Sequence, residues 1–451
     1  MRIKVPKDVI KIASVIRDAG FRSYLVGGAV RDQLLGLPAK DYDLCTDALP
    51  EDIIGMFRKV IPTGIKHGTV TVLMNKVPYE ITTFRIDGKY SDGRRPDQIS
   101  FTDDLTEDLK RRDFTINSIA YDVLDKTLHD PNNGADDLNK GIIRAIGVPE
   151  ERFREDGLRS IRACRFASQL NFSIDEETIK GIRTCLFNIK DLSRERIYEE
   201  LVKIMKTASP SKSFHLFQDT GILSLILPEL SLCAGVRQKG NHDYDVFEHL
   251  LNSCDAAPAG NMVIRFAALF HDLGKPAVKK YDENGIATFH HHEMESVRIA
   301  SDIMERYRFP KNKSNRILHI IGHHMFHYTP EWTDAAVRRF IQRVGLEYLE
   351  DQYLLREADI QGMSAGTVPA DYYGLRDLKL RVESVLQESN TFTVKDLAVN
   401  GRDIMNHTSV KGGPNIGTIL NELLETVLDD PSQNNREQLL EIASRIADRI
   451  N

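Results

Sequence analysis

A chain of 451 residues, 41% hydrophobic and 28% charged, is too long for one core and too apolar for disorder, so several folded units are expected. Its formal net charge of −6 excludes a globally basic nucleic-acid binder, and any RNA contact must come from local patches. No run approaches the roughly 18 apolar residues of a membrane span. The N-terminus lacks a signal-peptide core, and five scattered cysteines without a C-x-x-C pair argue against a disulfide framework and for a cytoplasmic protein.

The first 145 residues read as a small α/β unit. Tyr24, Leu25 and Val26 form a short apolar strand that ends at Gly27-Gly28, and residues 29–35 read as a helix. Residues 41–45, 69–74 and 79–85, rich in Val, Thr, Tyr and Phe, are further strands. From residue 144 to about 208 the period is helical, with Leu158, Ile161, Cys164 and Ala167 on one face. Turn residues at 235–241 suggest a boundary. Beyond it, ten of the fourteen histidines fall between His242 and His327, where an even spread would place about three. The remainder is helical, with a Gly-rich break at 411–415.

Asp41 and Asp43 sit two apart in an expected strand, so both carboxylates should project from one face. Alone, such a pair is as readily two solvated loop aspartates. The preceding turn shifts the balance. Gly27-Gly28 lets backbone approach a triphosphate, the next helix offers free N–H groups, and Arg31 could add a cation to the same phosphates. Mg²⁺, a hard ion that prefers carboxylate and phosphate oxygens, suits the pair. Glu80, on a later strand, has weak support as a third carboxylate.

These residues lie within longer motifs. GGAVRDQLLGLPAKDYDLCT (27–46) resembles the first motif of the class II, bacterial-type tRNA nucleotidyltransferases and their poly(A) polymerase relatives. RRDFTIN (111–117), DPNNGADDLNKG (130–141), REDGLRSIRACRFA (154–167) and residues 194–201 resemble the second to fifth, in order. The resemblance implies Mg²⁺ on Asp41 and Asp43. It also implies nucleotide contacts from Gly28, Arg31 and Arg112, and a ribose and phosphate environment ordered by Asp113 and Asn117. An aspartate flanked by arginines is equally often a structural ion-pair partner.

Asp156, Arg159, Arg162 and Arg165 recur every three residues on an expected helix, which by itself describes a charged, solvated face. The resemblance assigns Asp156 and Arg159 to the base edge, and the chemistry agrees. Cytosine and adenine both present an exocyclic amine beside an unprotonated ring nitrogen, which a carboxylate and a guanidinium complement. Uracil and guanine reverse that order. The segment 85–96 resembles the flexible loop of CCA- and A-adding enzymes, which disfavours CC-only addition.

In the histidine-rich stretch His249, His271-Asp272 and Asp359 follow the order H…HD…D, with His291, His292, His323 and His324 between. Imidazole and carboxylate ligands on helices suit a second divalent metal that activates water against a phosphate ester. The block resembles the HD phosphohydrolase superfamily. A degenerate, structural HD unit is the competing reading, and the run 290–292 also fits an exposed turn. Residues 392–440 resemble the tRNA-binding tail of the same enzymes.

The expected fold is therefore α+β: a small mixed-sheet, DNA polymerase β-like head (1–145), a helical neck and body (146–240), an HD unit (241–365) and a helical tail (366–451). The expected activity is template-independent addition of CCA, or its terminal A, to tRNA from CTP and ATP, without membrane partners. Poly(A) synthesis, or a phosphohydrolase with a nucleotide-binding head, are the alternatives.

Overall fold

The computed structural model describes residues 3–39, 41–88, 98–238, 244–363, 368–388 and 392–450. Most of the segment 85–96, the second half of the boundary at 235–241, and His242 lie outside them. Two compact units emerge, Met1–Pro228 and Glu229–Asn451.

The first unit is α+β, as expected. Strands β1 (Ser23–Val26), β2 (Asp43–Thr46), β3 (Val60–Gly64), β4 (Thr69–Met74), β5 (Val77–Thr83), β8 (Ala120–Asp122) and β9 (Thr127–His129) form one sheet. Their order is β3-β4-β5-β2-β1-β8-β9. A separate hairpin joins β6 (Arg85–Asp87) to β7 (Ile99–Phe101). The strand expected over 79–85 thus ends at Thr83, and Arg85 starts a new element. β2 runs antiparallel to β1 and parallel to β5, so it is central and cannot slip without flipping its side chains. β1 is buried along its whole length, the signature of a strand covered on both faces.

Helix α1 (Lys7–Asp18) buries Val9, Ile12, Ala13 and Ile16, the i, i+3, i+4, i+7 stripe of an amphipathic helix. Helix α2 (Gly28–Leu34) follows directly on β1. After α3 (Pro50–Met56), α4 (Leu105–Lys110) is capped by Asp104, whose side chain accepts from the Thr106 N–H. Helices α5 (Gly134–Lys140), α6 (Pro149–Glu155), α7 (Leu158–Leu170), α8 (Glu176–Thr184) and α9 (Arg194–Ile204) complete the part that matters for the site. Leu158, Ile161, Cys164 and Ala167 are all buried on α7. That helix stops at Asn171 in the left-handed region, φ 56°, a common way to end a helix.

The second unit is helical. Helix Val246–Ala256 is capped by the Asp245 carboxylate, and helix Met262–Phe270 by Asn261. Helix Pro414–Asp429 starts at the expected Gly-rich break and buries Ile419, Leu423, Leu424, Val427 and Leu428, and helix Arg436–Ile450 follows it. No helix among the described residues is long and apolar enough to cross a membrane.

Candidate functional site

The turn between β1 and α2 begins the first site. Gly27 has φ 69°, a left-handed conformation that side chains rarely adopt. It brings the backbone against a cavity of about 470 Å³ lined by Gly27, Gly28, Arg31 and Asp43 at one part. Arg111, Arg112, Asp113, Asn117, Asp156, Arg159, Arg162 and Arg165 line the rest, with Phe166 and Gln169. Every nucleotide-contact residue expected from the sequence is therefore in one place, and of the aspartate pair Asp43 reaches it.

Asp41 departs from expectation in one respect. β2 begins at Asp43, so Asp41 precedes the strand, because the ladder to β1 stops where Val26 pairs with Asp43. Asp41, Asp43 and Glu80 nonetheless line a second cavity of about 630 Å³. Glu80 was the weakest of the sequence-level candidates, yet strand register puts it beside Asp43, since Leu44 pairs with Ile81 in the parallel β2–β5 ladder. Asp43 belongs to both cavities. Burial, then Glu80, with Asp41 adding and Arg112 opposing, pushes its carboxyl up to about 6. Carboxylates crowded this way without matching cations are what a divalent ion relieves.

The arginines are braced rather than loose. Arg31 is 4% exposed and donates to Asp32 Oδ1 at 2.6 and 2.8 Å and to Asn117 Oδ1 at 2.7 Å. It is a fixed part of the cavity wall, held in place where the sequence expects a charge-assisted contact to the phosphates. Arg112 is paired with Asp108 at 3.1 Å. Asp113 accepts from Arg162 Nε and Nη2 at 2.9 and 2.6 Å, from Asn117 Nδ2 at 3.0 Å and from the Phe114 N–H at 2.8 Å. Burial alone would raise its carboxyl, but Arg162 and Asn117 hold it down at about 2. Arg165 donates to buried Glu200 at 2.6 Å and lies 3.9 Å from the Phe166 ring centre.

Asp156 ends α6 and lies ahead of α7, so the expected four-residue helical stripe is a corner followed by three arginines. The corner is tight, since a Cβ on Gly157 would meet Asn188 O at 2.7 Å. Asp156 accepts from the Leu158 N–H at 3.0 Å and from Arg196 at 2.6 Å. Arg159 donates to Glu155, to Arg152 O and to Arg111 O, which fixes its fork.

The second unit brings the four expected residues together. His249 comes from helix Val246–Ala256, His271 caps helix Met262–Phe270 with Asp272 following, and Asp359 comes from helix Leu349–Gly362. All four are buried. His249 Nε2 lies 3.2 Å from His271 Nε2, 3.1 Å from Asp359 Oδ1 and 3.5 Å from Asp272 Oδ2. Two nitrogens bound at about 2.1 Å to one ion stand roughly 3.0–3.4 Å apart, so the spacing fits a metal. The other oxygen of Asp272, Oδ1, faces His292 Nε2 at 3.0 Å and His324 Nε2 at 3.7 Å, with 3.3 Å between those nitrogens. Asp272 thus joins two groups of candidate ligands.

His292 and His324 lie within the histidine-rich stretch but outside its H…HD…D series. Of the run 290–292, His292 turns inward and is 5% exposed while His290 and His291 stay exposed. The choice depends on helix phase. His291, at φ 61°, caps helix His292–Arg306. A common device then sets the rings: Nδ1 of His271, His292 and His324 faces a backbone carbonyl at 2.7–2.8 Å, of Ala268, Phe289 and Ile321 respectively. A carbonyl only accepts, so each Nδ1 carries the proton and each Nε2 keeps its lone pair for a metal. Burial pushes His324 down, keeping it a neutral ligand. Burial would raise Asp272, but the Lys275 ammonium, 2.5 Å from Oδ2, holds it well below the carboxylate range.

Comparison with known proteins agrees with this geometry. Residues 23–144 match the poly A polymerase head domain, 171–233 the probable RNA and SrmB-binding site of polymerase A, and 244–360 the HD domain. The head and its site define a nucleotidyltransferase. The CCA-adding enzyme of Ligilactobacillus salivarius is 33% identical over 98% of this chain and 96% of its own length. That of Staphylococcus epidermidis is 31% identical over 95% of each. The solved Bacillus stearothermophilus CCA-adding enzyme in complex with CTP shares 29% identity and a TM-score of 0.74, covering 98% of both chains. This chain belongs to the CCA-adding enzyme family.

Proposed function

We propose that the chain adds C and A residues to tRNA 3′ ends from CTP and ATP, choosing them with protein side chains instead of a nucleic-acid template. One observation carries this: a single cavity joins Asp43 and the Gly27-Gly28 backbone to Asp156 and Arg159. The glycines let the triphosphate approach the N-terminus of α2, and Arg111, Arg112 and Arg162 supply local positive charge that the chain lacks overall. Asp156 accepts from the exocyclic amine of C or A, and Arg159 donates to the ring nitrogen beside it. Uracil and guanine set acceptor against acceptor and are refused.

Asp41 and Asp43, with Glu80 beside them, would hold Mg²⁺, as their crowding and hard oxygen donors suit that ion. When bound there, it supplies charge neutralisation for the attacking 3′-oxygen and the departing pyrophosphate. The aspartates orient the site, and Asp113 keeps Arg162 and Asn117 in register with the cavity. Five buried free thiols fit work in the reducing cytoplasm. The relatives named CCA-adding, and the Bacillus enzyme's CTP complex, support this reading over poly(A) synthesis.

Incorporation of labelled CTP and ATP into tRNA ending before CCA tests it. We expect CCA addition, lost in Asp41→Ala and Asp43→Ala, with relaxed base choice in Asp156→Ala. Incorporation that survives both alanines would overturn the assignment.

The HD unit is read as a metal-dependent phosphoesterase. Its support is the donor set: six buried groups, with the Nε2 lone pairs of His271, His292 and His324 directed inward. Release of phosphate from a phosphomonoester or cyclic phosphate, lost in Asp272→Asn, checks it; equal hydrolysis by that variant would remove it.

A further inference from the structure

A carboxylate can read a base edge only if its plane is fixed, because the terminal torsion of Asp is intrinsically broad. Asp156 has two restraints. Oδ1 is tied to the start of α7 by the Leu158 N–H, and Oδ2 to α9 by Nη2 of Arg196 at 2.6 Å. Arg196 is not among the residues lining the nucleotide cavity. It stands in the first turn of α9 and reaches Asp156 from outside.

The same helix holds two more of the cavity's side chains. Glu200, one turn beyond Arg196 and on the same face, takes Arg165 at 2.6 Å and lies 3.8 Å from Arg162. It is 1% exposed, and Ile197, Leu201 and Ile204 bury the rest of that helix's inner side. Asp156, Arg162 and Arg165 are therefore indexed against one helix face. Each carboxylate oxygen has two acceptor positions, so Arg196 and Leu158 use one apiece and leave the others available to an amine.

We propose that Arg196 is a positioning residue for nucleotide selection, which sets the plane of Asp156 from behind the cavity. The inference rests on Asp156 reading the base and adds what makes that reading selective. Without Arg196, the Oδ2 side is free to swing, and a uracil carbonyl no longer meets a fixed acceptor. Discrimination falls while phosphoryl transfer, governed at Asp41 and Asp43, does not. Lys in its place restores a charge on Oδ2 but not the planar fork.

The experiment uses full-length wild type, Arg196→Ala, Arg196→Lys, Arg196→Gln and Asp156→Ala, with kcat and KM for CTP, ATP and UTP on tRNA ending before CCA. Thermal melting accompanies each variant. Arg196→Ala should lower the CTP over UTP ratio of kcat/KM by about tenfold or more, the size of one lost orienting hydrogen bond. Its kcat for CTP should stay within about threefold of wild type, and Arg196→Lys should recover part of the ratio. If Arg196→Ala melts early, Arg196→Gln, which keeps a donor near Oδ2, carries the test with a smaller loss expected. Discrimination unchanged in the Arg196 variants but lost in Asp156→Ala overturns the role of Arg196 alone. Discrimination retained in Asp156→Ala overturns the base-reading assignment beneath it.

Discussion

Replacing Asp113 by Asn removes one charge and little volume, so it isolates the ion pair that anchors Arg162. The native carboxyl is held at about 2 against an ordinary 3.8 by Arg162 and Asn117 despite burial, and its side chain is 10% exposed. A shift of nearly two units corresponds to roughly 2.5 kcal/mol of native-state stabilisation. The folded value is lowered, so this stability is present above the unfolded pKa, near 4, and disappears as pH falls from about 4 to about 2. Urea unfolding of wild type and Asp113→Asn, followed by circular dichroism between pH 7 and pH 3, measures it. The variant should lose about 2–3 kcal/mol at pH 5–7, with the gap narrowing below pH 4. A gap under about 0.5 kcal/mol at pH 7, or one equally large at pH 3, would refute the argument that this pair stabilises the fold.

Three further outcomes follow from other contacts. Burial first, and repulsion from Glu80 second, raise Asp43 to about 6, and Glu80→Gln removes the second of these. A raised carboxyl favours folding below its unfolded pKa and loses that advantage as pH rises through about 6, so this variant should melt higher than wild type near pH 7 without Mg²⁺ yet gain less from added Mg²⁺. An equal Mg²⁺-dependent gain in both proteins would exclude Glu80 from the ion's surroundings. Gly157→Ala forces a Cβ to within 2.7 Å of Asn188 O and should cost about 1–3 kcal/mol, read as a lower melting temperature; a wild-type melt would mean the corner yields freely. Metal analysis after dialysis should find His324→Ala keeping about one divalent ion per chain fewer than wild type, and Asp272→Asn losing about two. Identical losses in the two variants would contradict two groups joined at Asp272.

Much of this was legible because it is local. A buried strand ending in Gly-Gly, the D-x-D spacing and the H…HD…D order each depend on neighbours within a few residues or on a motif of fixed composition. The α+β head and the helical remainder follow the change of hydrophobic period, and Leu158, Ile161, Cys164 and Ala167 all turn inward as their spacing requires. What the pattern missed depends on partners far along the chain. That Arg31 also donates to Asn117 depends on a residue 86 positions away. Arg196 matters only because α9 packs against α7, 40 residues beyond Asp156. His292 was hidden among three consecutive histidines, and only the turn at His291 selects which ring enters the interior. Asp41 looked like a strand residue because alternation does not reveal where a ladder ends.

Asp272 has a consequence for how ions would load the second unit. Its Oδ2 is shared between one group of nitrogens and the Lys275 ammonium, its Oδ1 faces the other group, and Asp359 reinforces only the first. The first ion to arrive would favour the group with two carboxylates and would use much of the charge open to the second. Occupancy is thus expected to build in two unequal stages, with a tightly held resident and a partner that exchanges with the medium. Scarcity of metal would then empty one of the two groups while the other still braces the buried helices around it.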